Sequence, residues 1–262
     1  MKTSRLYLFT ILTVTLALSI SSCKKNNEDD EHSHTTSNGS LKLKFDHSVN
    51  GTALVLNSSN YINQNNDTFN VSLIKYYISN ILLTKTDNSV VTLPASYHLI
   101  SSESGISSDF TLSSVPSGNY KKISFLLGVD STRNVSGAQS GALDPANGMF
   151  WSWSSGYIFY KLEGKSPQSM EANNAITYHI GGFAGANSAL RTIEVDFGAQ
   201  TLTVPAHRHT PLVQFNVHVE EIFKTPTQIS ISTLPKVVMP GANAFTLSTN
   251  FSDMFTIGTI IN

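Results

Sequence analysis

Two kinds of residue in this sequence are equipped for chemistry: its eight histidines and its only two tryptophans, Trp151 and Trp153. An imidazole serves as metal ligand, general base or satisfied structural donor, and its neighbours decide which. His207 and His209, in "PAHRHTP", have the spacing that on an extended chain projects two rings from one face, as a metal pair requires. Pro205 and Pro211 put them in a loop, and two ligands alone do not define a site. His32 and His34, in "EHSH", lie in an acidic stretch that would hold a divalent ion weakly. His98, in "ASYHLI", follows a strand-like run and reads as structural. His218 belongs to the outward-facing set of a strand, with Gln214 and Asn216. His47 in "FDHSVNG" and His179 in "YHIGGF" each stand near glycines, which let another backbone approach and leave a ring accessible. By pattern alone each of these two reads as a structural histidine.

The tryptophans lie in "GMFWSWSSGYIFYKLEG", residues 148–164, the densest aromatic cluster in the chain. On a strand, Trp151 and Trp153 share a face with Met149 and Ser155, opposite Phe150, Ser152 and Ser154. Two indoles on one face are more bulk than one core layer needs, and tryptophan is seldom fully buried. The spacing therefore suits one indole packed inside and its partner near the surface. Gly156 admits a bulge or a close approach, after which Tyr157, Phe159 and Lys161 alternate against Ile158, Tyr160 and Leu162.

These residues need strands to position them. Period-two segments recur along the chain: 41–47, 52–57, 69–86, 120–130, 148–164, 175–183, 190–198, 212–223 and 227–233. In "LKLKFDH", Leu41, Leu43 and Phe45 alternate with Lys42, Lys44 and Asp46, as in a half-buried strand. Val213, Phe215, Val217 and Val219 likewise face one way in "LVQFNVHVEEIF". Turn clusters such as "SVPSGNY", "DPANG" and "MPGANA" separate the segments. Asp144, before Pro145, caps such a turn. "SLIKYYISNIL" is compatible with a helix, but its β-branched and aromatic content favours a strand. Many short strands with Gly and Pro turns and almost no helical periodicity predict a single all-β domain, an antiparallel β-sandwich over residues 41–262.

The beginning of the chain reads as an address. Lys2 and Arg5 precede an apolar run and then small residues up to Cys23, the only cysteine; this is the pattern of a signal peptide over residues 1–22. Ile20, Ser21, Ser22 and Cys23 resemble the bacterial lipobox, which implies lipidation of Cys23 and attachment to the outer membrane. Thiolate ligation and structural disulfides are then excluded from the folded part. Residues 23–40, with Glu28, Asp29, Asp30 and Glu31 in a row, read as a disordered tether. Such an acidic run near the lipidated cysteine resembles the export signal of surface lipoproteins in the Bacteroidetes group, so either a periplasmic or a surface position is expected.

Taken together in order, "FDHSVNG", "VSLIKYYISNI", "FLLGVDS", "GALDPANGMFWSWSSGYIFYKLEG" and "YHIGG" resemble the MbnP-like copper-binding proteins over roughly residues 41–223. The W-x-W-x-x-G-Y element is the most specific part of the match. The resemblance implies a copper cofactor, held by histidine nitrogens and the aromatic amine of a tryptophan oxidised to kynurenine. It also implies a partner, a diheme peroxidase of the MbnH type, that performs the oxidation. Carried to this chain, it points to Trp151 or Trp153 as the oxidised position and to His47 and His179 as ligands, with His207, His209 and His218 in reserve. Some copper-binding relatives have a histidine two residues after the modified tryptophan; Trp153 occupies that spacing here if Trp151 is modified.

With 17 basic and 18 acidic residues, and Lys2 and Arg5 lost with the signal peptide, no basic field exists to attract nucleic acid. No nucleophile elbow, phosphate loop or zinc-hydrolase motif is present, so the expected role is not enzymatic. A second reading is a binding module for glycan or protein that stacks Trp151, Trp153, Tyr157 and Tyr160 on its ligand.

Overall fold

The computed structural model describes residues 37–262 apart from 58–59, 104–107 and 153. The expected signal peptide, Cys23, His32, His34 and Trp153 lie outside the described residues.

The strands are β1 (Asn38–Val49), β2 (Thr52–Ala53), β3 (Tyr61–Ile62), β4 (Thr68–Lys85), β5 (Val90–Thr92), β6 (Tyr97–Ser101), β7 (Asp109–Pro116) and β8 (Gly118–Leu127). They continue with β9 (Phe150–Ser152), β10 (Gly156–Lys165), β11 (Ala175–Gly181), β12 (Arg191–Asp196), β13 (Leu202–Val204), β14 (Leu212–His218), β15 (Lys236–Val237) and β16 (Phe255–Ile261). Two short helices, α1 (Ser131–Asn134) and α2 (Ala242–Thr249), lie between strands. β1 takes in residues 38–40, which composition alone assigns to the tether.

The smaller sheet runs β16-β14-β1-β2, with β7 also on β1. The larger runs β12-β8-β4-β10-β11-β15, and β3, β5, β6, β9 and β13 pair along it. Phe45 of β1 and Phe215 of β14 stack at 5.0 Å between ring centroids. Across the gap Phe45 meets Tyr76 of β4 and Phe125 of β8 edge-on, at 6.1 and 6.3 Å. This aromatic layer joins the two sheets into a sandwich. Leu41, Leu43, Phe45, Val213, Phe215 and Val217 are all fully buried, as their alternation predicts.

The all-β sandwich stands, but its sheets are mixed rather than purely antiparallel. β1 pairs with β14 in parallel over seven residue pairs, from Lys42↔Leu212 to Ser48↔His218, and β15 pairs with β11 in parallel. Side-chain alternation is the same in either direction, so the period-two pattern carries no information about it. β4 settles the helix-or-strand ambiguity of 72–82 as strand.

Candidate functional site

Where β4, β10 and β11 lie side by side, their residues form rows that alternate between the two faces of the large sheet. Tyr76, Tyr160 and Ile180 are register partners, all buried, on the face that meets Phe45. The adjacent row, Lys75, Lys161 and His179, must face the other way.

Residues 141–152 are tied down on this outer face. Four side chains of the sheet donate hydrogen bonds to carbonyls of that segment: the Tyr77 hydroxyl to Ala142 (2.9 Å) and the Tyr157 hydroxyl to Leu143 (2.7 Å). The Lys75 ammonium reaches Asn147 (3.0 Å) and the Lys161 ammonium reaches Gly148 (3.2 Å). Asp144 accepts from the Ala146 amide and so caps the turn, as expected. Lys75 is 4% exposed and pairs with the half-exposed Glu103 at 2.5 Å.

Fixed in this way, the segment delivers Trp151 onto β11. A Cβ built on Gly181 would lie 2.7 Å from Cζ3 and 3.0 Å from Cη2 of Trp151, so the indole rests where residue 181 has no side chain. His179, two residues earlier on β11, projects from the same face. Trp151 is half-buried, with its inner part packed against the core.

The 148–164 segment is not one continuous strand. β9 and β10 pair antiparallel, Gly156↔Ser152 and Tyr157↔Phe150, so the chain reverses between Ser152 and Gly156. Trp153 lies outside the described residues. The continuous strand expected over 148–164 is therefore corrected to a hairpin with Trp151 on its first arm. Gly156 makes this possible: its φ is +72°, and a Cβ there would meet the Asn134 side-chain oxygen at 2.1 Å. That oxygen accepts from the Tyr157 amide at 2.8 Å.

His179 has one strong partner. Its Nε2 lies 2.8 Å from Oε1 of Glu163 on β10, and Lys161 stands 3.6 Å from the same oxygen. Burial pulls the His179 pKa below the ordinary histidine value; the Glu163 hydrogen bond opposes this and Lys161 adds to it.

His47 lies elsewhere. It projects from the inner face of β1, its Nε2 3.0 Å from the Tyr76 hydroxyl, and burial holds its pKa down to about 4. Tyr76 is on the inner row and His179 on the outer one, so the large sheet separates the two histidines and does not bring them to one ion. The glycine signal at "HSVNG" has another cause: Asn50 and Gly51 have φ of +49° and +76° and form the two-residue turn joining β1 to β2.

The reserve histidines are dispersed too. His207 lies in the β13–β14 loop beside Asn38, Ser40 and Ser114, His209 is exposed there, and His218 contacts Thr256 Oγ1 at 2.9 Å. His98 stacks on Phe110 at 3.6 Å. Among the described residues no three of His, Cys, Asp and Glu converge as a metal cluster.

A family model described as MbnP matches residues 38–240. The chain belongs to the MbnP family. The matched span runs from β1 beyond β15 and contains Trp151, Glu163 and His179, whereas α2 and β16 fall outside it. The solved structure of MbnP from Methylosinus trichosporium superposes with a TM-score of 0.59, covering 84% of this chain and 98% of its own at 13% identity. That likeness is one of fold. No curated protein matches.

For an MbnP-family chain the question is which residues fit a copper ion. One imidazole and one half-exposed tryptophan share a face here, and of the two only the imidazole has a nitrogen lone pair to offer a metal as it stands. A three-donor set including His47 is not assembled. Lys161, Glu163 and Lys75 are absent from a reading based on histidine and tryptophan motifs. Their signal was charge inside apolar strands, Lys161 and Glu163 in "IFYKLEG" and Lys75 in "SLIKYYIS".

Proposed function

We propose that this protein is a lipid-anchored, non-enzymatic copper-binding member of the MbnP family. Its copper site is the outer face of β11, with His179 as imidazole ligand and Trp151 as the precursor of the second ligand. The observation that carries this reading is the Trp151 ring on Gly181, half-exposed, on the same face as His179. An intact indole offers only an N–H donor. Two equivalents of peroxide cleave its C2–C3 bond to formylkynurenine and release two waters; hydrolysis then frees formate and leaves an aryl amine that can bind a metal. The ring must be reachable by the diheme peroxidase that would use the peroxide, and the exposure of Trp151 supports that.

A soft cation held by imidazole and amine suits capture or transfer of copper rather than catalysis. Attachment through Cys23 to the outer membrane would keep the protein at the cell boundary, where copper is met. Against the stacking-platform reading, two of its four rings, Tyr157 and Tyr160, are fully buried.

The test is peptide mass analysis of residues 148–164 in protein isolated from its own membrane, together with elemental copper. The expected result is a mass gain of about 4 Da on Trp151, from one carbon lost and one oxygen gained, and about one copper per chain. Unmodified Trp151 with no copper would overturn the reading.

A further inference from the structure

We infer that Glu163 is the positioning residue of this site: it holds the Nε2–H tautomer of His179 and so reserves Nδ1 as the metal-binding nitrogen. This rests on the copper reading above and names how that site is organised. An ionised carboxylate only accepts hydrogen bonds. Its 2.8 Å contact with Nε2 therefore places the imidazole proton on that atom, and in the neutral ring the lone pair is left on Nδ1. Metal-bound histidines are commonly oriented by such a carboxylate on the far nitrogen.

Register makes the contact systematic. His179 is paired with Lys161, and Glu163 is the next residue of β10 on the same face, one diagonal step away. The same Glu163 oxygen stands 3.6 Å from the Lys161 ammonium, too far for a hydrogen bond. Lys161 spends its hydrogen bond instead on the carbonyl of Gly148, in the segment that carries Trp151. Glu163 thus stands between the imidazole and the cation that pins the tryptophan arm, and it orients the first without occupying the metal position itself.

The experiment uses 15N-labelled full-length protein isolated from its own host, as wild type and as E163Q, E163A and E163S. Nitrogen-15 chemical shifts of His179 in the metal-free protein read the tautomer, and Cu(I) titrated against a chromophoric chelator reads the affinity. The expected result is Nε2–H in the wild type and in E163Q, whose amide oxygen still accepts, with that preference lost in E163A and E163S. Cu(I) affinity should fall about 10–100-fold in E163A and E163S and less in E163Q. An Nδ1–H tautomer in the wild type overturns the inference, and this readout does not depend on any variant folding. So does a wild-type tautomer and affinity in E163A and E163S. A wild-type protein that shows the Nε2–H tautomer but binds no Cu(I) overturns the copper reading and leaves the Glu163–His179 contact standing, which separates the two failures.

Discussion

Gly181 is defined by the ring that lies on it. Any side chain at this position would press on Trp151 and, at 2.5 Å, on the carbonyl of Tyr157. Gly181→Ala is expected to cost about 1–3 kcal/mol, the range for overpacking a fitted contact, and to push Trp151 outward. A red shift in tryptophan emission with a lower denaturation midpoint would establish this; an unchanged spectrum would mean that the indole does not rest there. The sequence marked this residue only indirectly, through the "IGG" beside His179. The glycines beside His179 suggested an accessible ring, but they could not show that Gly181 makes room for an aromatic ring from a segment some thirty residues earlier. Nor could it separate His179 from His47, because both stand near glycines and only the fold puts a sheet between them.

At the scale of elements, the segment 141–152 is held mainly by sheet side chains reaching its carbonyls. The Lys75 ammonium is the more buried of the two cationic ties. Lys75→Met should leave Glu103 solvated, since it is half-exposed, and remove the bond to Asn147. The expected outcome is faster hydrogen exchange at β9 amides and a loss of about 1–2 kcal/mol, read by exchange mass spectrometry. Exchange unchanged at β9 would assign the hold to Tyr77, Tyr157 and Lys161 alone. Long strands were legible where one face meets the core: β1, β4, β10 and β14 follow their alternation. Two apolar runs misled. "TALVLN" supplies only the two-residue β2, after which Val55 turns outward, 48% exposed, and its amide bonds the Tyr61 hydroxyl. "TQISIST" has Ile229 and Ile231 buried, yet its backbone is irregular and ends in a turn, and the Ile231 amide is bound by the Asp67 carboxylate at 2.8 Å. A loop pressed into the core mimics the alternation of a strand. The antiparallel hairpin within 148–164 was hidden because Gly156 supports either a bulge or a reversal.

For the whole molecule, the titration of buried histidines sets a slope of stability against pH. His47 and His98 are both held down to about 4 by burial, against an ordinary 6.5; at His47 the Asp46 charge opposes the shift in part. Between those values the unfolded chain binds more protons than the folded one, so stability falls as pH drops below about 6.5 and the loss is complete near 4. Chemical denaturation at a series of pH values should show this decline, and the His47→Gln/His98→Gln double variant should flatten it. An unaltered slope in the double variant would assign the decline to other groups, among them His179, whose pKa burial also lowers. One feature of the topology governs how such a molecule is made. β1 is bonded on one edge by β14 and on the other by β7 and β2, and β14 is flanked in turn by β16, the last strand. A polypeptide emerging amino end first, from a ribosome or through a translocation channel, therefore leaves one side of its opening strand unzipped until residues 212–218 arrive. Such a delay favours escort by a holding chaperone over folding in step with synthesis.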